Sequence, residues 1–132
     1  MKTFKTLIFL FLFVLLSCDT PYDVFYEIEN CTDKNVIIET RIGLSYVPDK
    51  EKTFNIAPGE TVCVHNTGGV NAKDYIPPDE YFSPDDLLPR DFVKFDIYVG
   101  GILMEDSLRC RKNWEFFSKK LLGVYTLRIT DD

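Results

Sequence analysis

Histidine is nearly absent from this chain, in which His65 is the only one among 132 residues. Four cysteines are present, and no two of them stand in a C-x-x-C arrangement. Because zinc sites draw their ligands from clusters of Cys and His, the sequence predicts no metal and no cofactor. Basic residues are also few, 15 against 21 acidic ones. This balance argues against a nucleic-acid partner, since phosphates require a basic face.

Long apolar stretches are missing as well, apart from one at the N-terminus. Residues 7–16 are ten consecutive apolar residues that follow Lys2 and Lys5. A helix of this length reaches about 15 Å, roughly half the hydrocarbon core of a bilayer. A positive start followed by a short apolar run is typical of a secretory signal rather than of a spanning helix.

The signal ends in Leu15, Leu16, Ser17 and Cys18. Ordinary cleavage requires small residues at −3 and −1, and Leu15 at −3 does not fit. The four residues resemble the lipobox of bacterial lipoproteins, which signal peptidase II cleaves just before the cysteine. The resemblance implies a thioether-linked diacylglycerol on Cys18, a fatty acyl group such as palmitate on its amine, and a lipid-anchored place in the cell envelope. We expect the outer membrane or cell surface of a Gram-negative bacterium. The alternative is a buried helix that happens to precede a cysteine.

The predicted organisation is a signal peptide over residues 1–17, a lipidated tether over 18–21 and a single domain over 22–132. Removing the signal leaves 115 residues, the size of one domain, with 13 basic and 21 acidic side chains and a net charge of −8. Such a charge does not favour adsorption to anionic lipid. The N-terminal lipid therefore has to provide the attachment to the membrane.

Alternation of apolar and polar residues, typical of half-buried strands, recurs along the rest of the chain. It predicts strands over residues 22–29, 36–42, 53–56, 61–65, 93–99, 102–106 and 125–130. The first two are expected to form a hairpin, and tight turns are expected at residues 58–59 and 100–101. A helical turn is predicted to begin at Ser83, and a short helix is predicted over residues 113–122. The whole predicts a mostly β, antiparallel immunoglobulin-like sandwich of about seven strands with one or two short helices.

Two strand registers have particular consequences. In the fifth predicted strand, alternation places Val93, Phe95 and Ile97 inward and Phe92 outward. In the fourth, residues 62 and 64 face inward, which places Cys63 and His65 together on the outer face.

Two short sequences resemble segments of small β-sandwich lipoproteins that are abundant in anaerobic Gram-negative gut bacteria. They are the I-A-P-G-E turn at residues 56–60 and the Y-T-L-R-I-T strand at residues 125–130. The resemblance implies the same tethered β-sandwich. Asp106, Ser107 and Leu108 also resemble the O-glycosylation site of that lineage, which makes Ser107 a candidate for modification.

The best candidate for binding is the loop over residues 66–91, because loops on a rigid sandwich often carry binding residues. Its aromatic side chains Tyr75, Tyr81 and Phe82, with Trp114, could stack on a sugar or a partner protein. The alternative is that these rings cap the ends of the core.

Other groupings have simpler interpretations. Six acidic residues lie in or near the loop, namely Asp74, Asp79, Glu80, Asp85, Asp86 and Asp91. They could bind calcium, but their spacing is not that of an EF-hand, and we expect a solvated loop. Cys63 and His65 could be a nucleophile and its base, but their spacing follows from strand alternation alone. Cys31, Cys63 and Cys110 permit one disulfide and one remaining thiol, in any of three pairings.

The function expected from these features is non-enzymatic: a lipid-anchored binding or structural accessory module of the cell envelope, with a protein or glycan partner. The alternative is a small-ligand or glycan-binding lipoprotein that serves an uptake or degradation system. A third hypothesis is that the chain is an envelope subunit resembling the small sandwich lipoprotein of type VI secretion systems.

Overall fold

The computed structural model describes residues 21–44, 47–71 and 82–131. In this part of the chain eight strands form two four-stranded sheets, with two short 3₁₀ turns at Asp106–Arg109 and Arg111–Asn113. The strands are β1 Pro21–Asn30, β2 Val36–Leu44, β3 Val47–Ile56, β4 Thr61–Asn71, β5 Phe92–Val99, β6 Ile102–Leu103, β7 Trp114–Lys119 and β8 Leu122–Ile129.

The first sheet has the order β4-β1-β8-β7 and the second has the order β3-β2-β5-β6. Neighbouring strands are antiparallel, except that β1 and β8, the first and the last, run parallel in the middle of their sheet. The predicted β-sandwich is confirmed, with eight strands rather than about seven. The likeness to immunoglobulin domains is one of architecture and not of strand order, since the sheets of immunoglobulin domains have the orders ABED and CFG.

The core lies between the inner faces of the two sheets, as alternation requires. Ile28 and Leu127 of the first sheet and Ile38 of the second are fully buried. Aromatic rings extend this core: Tyr26 stacks on Tyr125 at 5.1 Å between ring centroids. Burial of large apolar side chains from both sheets is the main stabilising contribution to such a sandwich.

The predicted hairpin between the first two strands is wrong. β1 pairs with β4 and β8, whereas β2 pairs with β3 and β5, so residues 31–35 cross from one sheet to the other. The Asn30 side chain directs this crossing, because its amide group donates to the carbonyls of Lys34 and Ile56. The two alternating runs, β1 and β2, therefore lie in different sheets and face each other across the core, rather than pairing with each other in one sheet.

The predicted helix over residues 113–122 is also wrong. Trp114–Lys119 forms strand β7, Lys120 turns the chain with a φ of 54°, and β8 begins at Leu122. Trp114 and Phe116 face the core, while Glu115 and Phe117 are exposed, which is the two-residue period of a strand. The spacing of apolar residues in this segment fits a helix and a strand about equally well. Aromatic residues favour strands, and pairing with β8 stabilises the strand.

The helical turn predicted at Ser83 is a tight turn instead. The amide of Asp86 donates to the Ser83 carbonyl oxygen at 3.0 Å, and the Asp86 carboxylate accepts from the Ser83 amide at 2.9 Å. The two tight turns predicted elsewhere are confirmed. Gly59 has a φ of 80° within the turn from Ala57 to Glu60, and both residues 100 and 101 have positive φ, as a primed hairpin turn requires.

Two β-bulges change the predicted registers. In β5, Val93 is the extra residue opposite β2, so it is 60% exposed and Phe92 turns toward the core. In β4, Val64 is the extra residue opposite β1, so His65 lies directly across from Tyr26 and faces inward with it. A bulge adds one residue to one strand and thereby moves every later side chain to the other face. Phe95 and Ile97 are buried as predicted.

Candidate functional site

The end of the sandwich where β1 begins is the part of the fold nearest to Cys18. Cys18 itself lies outside the described residues, and strand β1 starts at Pro21, three residues later. Three residues span at most about 10 Å. Beside Pro21 the amide of Asp23 donates to the carbonyl of Leu121 in the β7–β8 turn, at 3.0 Å. A lipid on Cys18 would therefore hold this end of the domain against the membrane.

Of the candidate aromatic residues, Tyr75 and Tyr81 lie outside the described residues. Phe82 is half-buried against the core, with its ring edge-to-face to Tyr125 at 6.0 Å and the Arg90 guanidinium 4.7 Å from its centroid. Trp114 is buried, and its indole N–H donates to the carbonyl of Arg109 at 3.0 Å. Both rings therefore pack against the core, as expected if these aromatic residues cap its ends.

The buried cation Arg109 holds the segment around Phe82 to the sandwich. Its Nε and Nη2 donate to the carbonyls of Leu88 and Pro89 at 3.1 and 3.2 Å, and its guanidinium lies 4.6 Å from the Phe95 ring centroid. Burial lowers the pKa of Arg109, partly offset by the charges of two aspartates. This contact was not predicted, since an isolated Arg is ordinarily a surface residue.

The acidic residues that the structure describes do not converge. Asp85 pairs with Lys112, Asp86 with Arg90, and Asp91 with His65. Hydrogen bonding from the Ser83 backbone amide, followed by that from Arg90, lowers the pKa of Asp86. Within the described ranges, no group of three His, Cys, Asp or Glu side chains could hold a metal ion. Asp74, Asp79 and Glu80 lie outside those ranges.

His65 of β4 and Asp91, in the segment before β5, form a contact that the sequence did not predict. The His65 Nε2 lies 3.0 Å from the Asp91 carboxylate, and its ring packs against Phe92 at 4.8 Å. Cys63 is exposed, and its thiol donates to the backbone carbonyl of His65 rather than to the ring. The bulge thus separates the Cys63 thiol from the imidazole that alternation had placed beside it.

The three cysteines of the sandwich are free thiols: Cys31 and Cys63 are exposed and Cys110 is buried. Cys63 lies opposite Glu27, four positions before Cys31 along β1. Four strand residues span about 13 Å, well beyond the roughly 7 Å between Cα atoms that a disulfide tolerates. Desolvation, with the Glu29 carboxylate, raises the pKa of Cys31, which favours the protonated thiol.

Ser107, the candidate for O-glycosylation, is exposed on the 3₁₀ turn Asp106–Arg109. Its hydroxyl lies 3.4 Å from the Glu105 carboxylate, while its carbonyl accepts from the Asn113 side chain. The hydroxyl is therefore at the surface, and its modification stays a prediction.

The fold and these contacts define a small β-sandwich. Comparisons with protein-family models, curated proteins and solved structures found no match. Among the described residues, no helix has the length and apolar character needed to cross a membrane.

Proposed function

We propose that this chain is a lipid-anchored lipoprotein of the cell envelope that serves as a non-enzymatic binding or structural module. The observation that carries the proposal is the lipobox-like sequence of residues 15–18, followed within three residues by the first strand of a compact sandwich. A single acyl chain binds a membrane only marginally, whereas two or three on Cys18 would make release slow.

The outer membrane or cell surface of a Gram-negative bacterium is the proposed location, through the same resemblance. The acidic balance of the mature chain fits a protein whose retention depends on its lipid.

Fatty-acid labelling tests the anchor. Cells expressing the full chain are grown with an alkyne fatty acid, and we expect label on the wild type and none on Cys18→Ala. Cys31→Ala is the matched control, because it removes an exposed free thiol from the folded domain and should leave labelling unchanged. Equal labelling of the wild type and Cys18→Ala would contradict the proposal.

A second candidate function is the binding of a small ligand or glycan by the loop over residues 66–91. The observation in its favour is that the sequence of this loop contains Tyr75 and Tyr81 shortly before Phe82, whose ring packs against Tyr125 and the Arg90 guanidinium. Fixed aromatic rings bind sugars and protein partners at small entropic cost.

A glycan array and a pull-down with the Tyr75→Ser/Tyr81→Ser variant test this second function. We expect loss of capture with an unchanged melting temperature, because neither change removes the Phe82 contacts. Phe82→Ser is the comparison, and it should lower the melting temperature. Capture that survives the double substitution would exclude the loop as the binding surface.

A further inference from the structure

The β7–β8 turn is exposed and apolar at its tip. Lys119 ends β7, Lys120 makes the turn, and Leu122 begins β8. Leu121 is 42% exposed and Leu122 is 36% exposed. Exposed leucines that follow two lysines resemble, in composition, the segments that lie at a membrane interface.

An apolar row continues from this turn across the outer face of the first sheet. Phe117 of β7, 62% exposed, is opposite Val124 of β8, which in turn is opposite Phe25 of β1. Residues directly opposite one another share a face of a sheet, so the three side chains form one row.

The apolar row is confined to the end of the sheet that carries the turn. Two residues farther along each strand the outer face becomes polar, with Glu115 of β7, Thr126 of β8 and Glu27 of β1 in register. Beyond them Arg128 forms ion pairs with Glu29 and Glu115. The apolar side chains therefore form a distinct surface rather than a scatter of exposed residues.

This surface lies beside the point at which the chain enters the fold. Asp23 is opposite Leu122 in the register of β1 and β8, and its amide donates to the Leu121 carbonyl. Among the residues that the structure describes at this corner, two lysines, Lys119 and Lys120, accompany one carboxylate, that of Asp23. The charge of these described side chains is thus opposite in sign to the −8 of the mature chain.

We propose that the β7–β8 turn, with Lys119, Lys120, Leu121 and Leu122, and the apolar row of Phe117, Val124 and Phe25 form a surface that contacts anionic phospholipid. This inference rests on the proposed lipid anchor at Cys18. The lysines meet the headgroups, and the leucines and the apolar row reach the boundary of the acyl chains. A membrane is the occupant that the position favours, since only Asp19 and Thr20 separate β1 from Cys18, and attraction to anionic lipid acts only within about 8 Å.

The contact also orients the domain. A sandwich held by lipid alone could pivot about the tether, whereas a second contact at the turn fixes the first sheet relative to the bilayer. The β5–β6 turn at residues 100–101, at the opposite end of the sandwich, then points away from the membrane.

Tryptophan quenching by brominated phospholipid tests the contact. The full chain, purified from membranes, is reconstituted into vesicles of phosphatidylcholine with phosphatidylglycerol, or of phosphatidylcholine alone. Leu121→Trp reports on the turn, and Ile102→Trp, at an exposed site on β6 at the opposite end, is the matched control. Trp114 is buried and gives a constant background.

We expect brominated lipid to quench the added emission of Leu121→Trp in vesicles with phosphatidylglycerol and to leave Ile102→Trp unaffected. Adding Lys119→Glu should reduce the quenching, whereas Lys34→Glu, an exposed lysine on the 31–35 connection, should not. Equal quenching at the two tryptophan sites, absence of quenching at both, or quenching independent of phosphatidylglycerol would overturn the proposal.

The two proposals fail separately. If Cys18→Ala removes fatty-acid labelling but Leu121→Trp is not quenched, the lipid anchor stands and the turn is not a contact surface. If Cys18 is never labelled but Leu121→Trp is quenched, the contact stands with the apolar leader as its tether, and the lipoprotein assignment is wrong.

Discussion

Asn30 is the residue on which the crossing between the two sheets depends. It is completely buried, and its amide nitrogen donates to the carbonyls of Lys34 and Ile56 at 2.7 and 2.9 Å. Its amide oxygen accepts from the backbone N–H and the hydroxyl of Thr32. All of its hydrogen-bonding groups are therefore occupied, as a buried amide requires.

Asn30→Asp should destabilise the fold by at least about 2 kcal/mol, because it removes two donors and buries a carboxylate among carbonyl oxygens. Asn113→Asp is the matched control: it also loses two bonds to carbonyls, those of Ser107 and Leu108, but at an exposed site where water replaces them. Denaturant unfolding measures both, and equal destabilisation would show that the Asn30 network is not what stabilises the crossing.

The Asp86 carboxylate gives the Ser83 turn a dependence on pH. Its pKa is lowered in the folded chain, so its contribution is present above the ordinary Asp pKa of about 3.9 and is lost as the pH falls through the lower, folded value. The Ser83 amide resonance in NMR should therefore titrate with a midpoint below about 3.9. Asp86→Asn should abolish the titration and Asp85→Asn should preserve it; a midpoint at the ordinary value would contradict the assignment.

Individual side-chain contacts of this kind were the feature of the structure that was hardest to predict from the sequence. Asn30 was recognisable as a turn residue, but its bond to Ile56 joins positions 26 apart. His65 and Asp91 are equally distant, and a bulge had to turn the imidazole inward before they could meet. Such contacts follow from the arrangement of strands, which local patterns do not contain.

At the scale of the elements, the bulge in β5 sets the face on which each side chain lies. We expect Phe95→Ala to cost about 3–5 kcal/mol, because it empties a buried site. Val93→Ala should change stability by no more than about 0.5 kcal/mol, since Val93 projects into solvent. Phe92→Ala should fall between them, because its ring packs on Phe95 and His65. A large effect of Val93→Ala in thermal or denaturant unfolding would show that the bulge is absent.

Gly43 tests the same bulge from the neighbouring strand. A Cβ at this position would clash with Val93 Cγ1, because the bulge turns the valine over the glycine. Gly43→Ala should therefore destabilise the fold, and Val93→Ala should relieve it, since the remaining Cβ would be 3.4 Å away. A double-mutant cycle should give a coupling of about 0.5–3 kcal/mol. Additive effects would contradict the close approach.

Alternation predicted most of the strands but not their partners. β1, β2, β5 and the last strand appear where the two-residue period placed them, whereas residues 113–122 satisfied a helical spacing and a strand spacing alike. For that segment the deciding factor was the partner strand β8, which lies next to it in sequence but whose pairing no local pattern encodes.

At the scale of the whole molecule, the parallel pairing of β1 and β8 places the start of the first strand and the end of the last strand at opposite ends of one sheet. The N-terminal end of β1 lies beside the β7–β8 turn, and the C-terminal end of β8 lies at the other end of the sheet. The alternating pattern predicted the sandwich, whereas the parallel pairing of its first and last strands is seen only in the structure.

The central claim is that the mature protein begins at a lipidated Cys18, and intact mass spectrometry of the chain extracted from membranes tests it most directly. We predict a chain of residues 18–132 whose N-terminal tryptic peptide carries the mass of a diacylglycerol and an amide-linked acyl chain, with any mass from O-glycosylation on the peptide that contains Ser107. A chain that begins at Met1, or one that begins at Cys18 or later with no added lipid, would contradict the account.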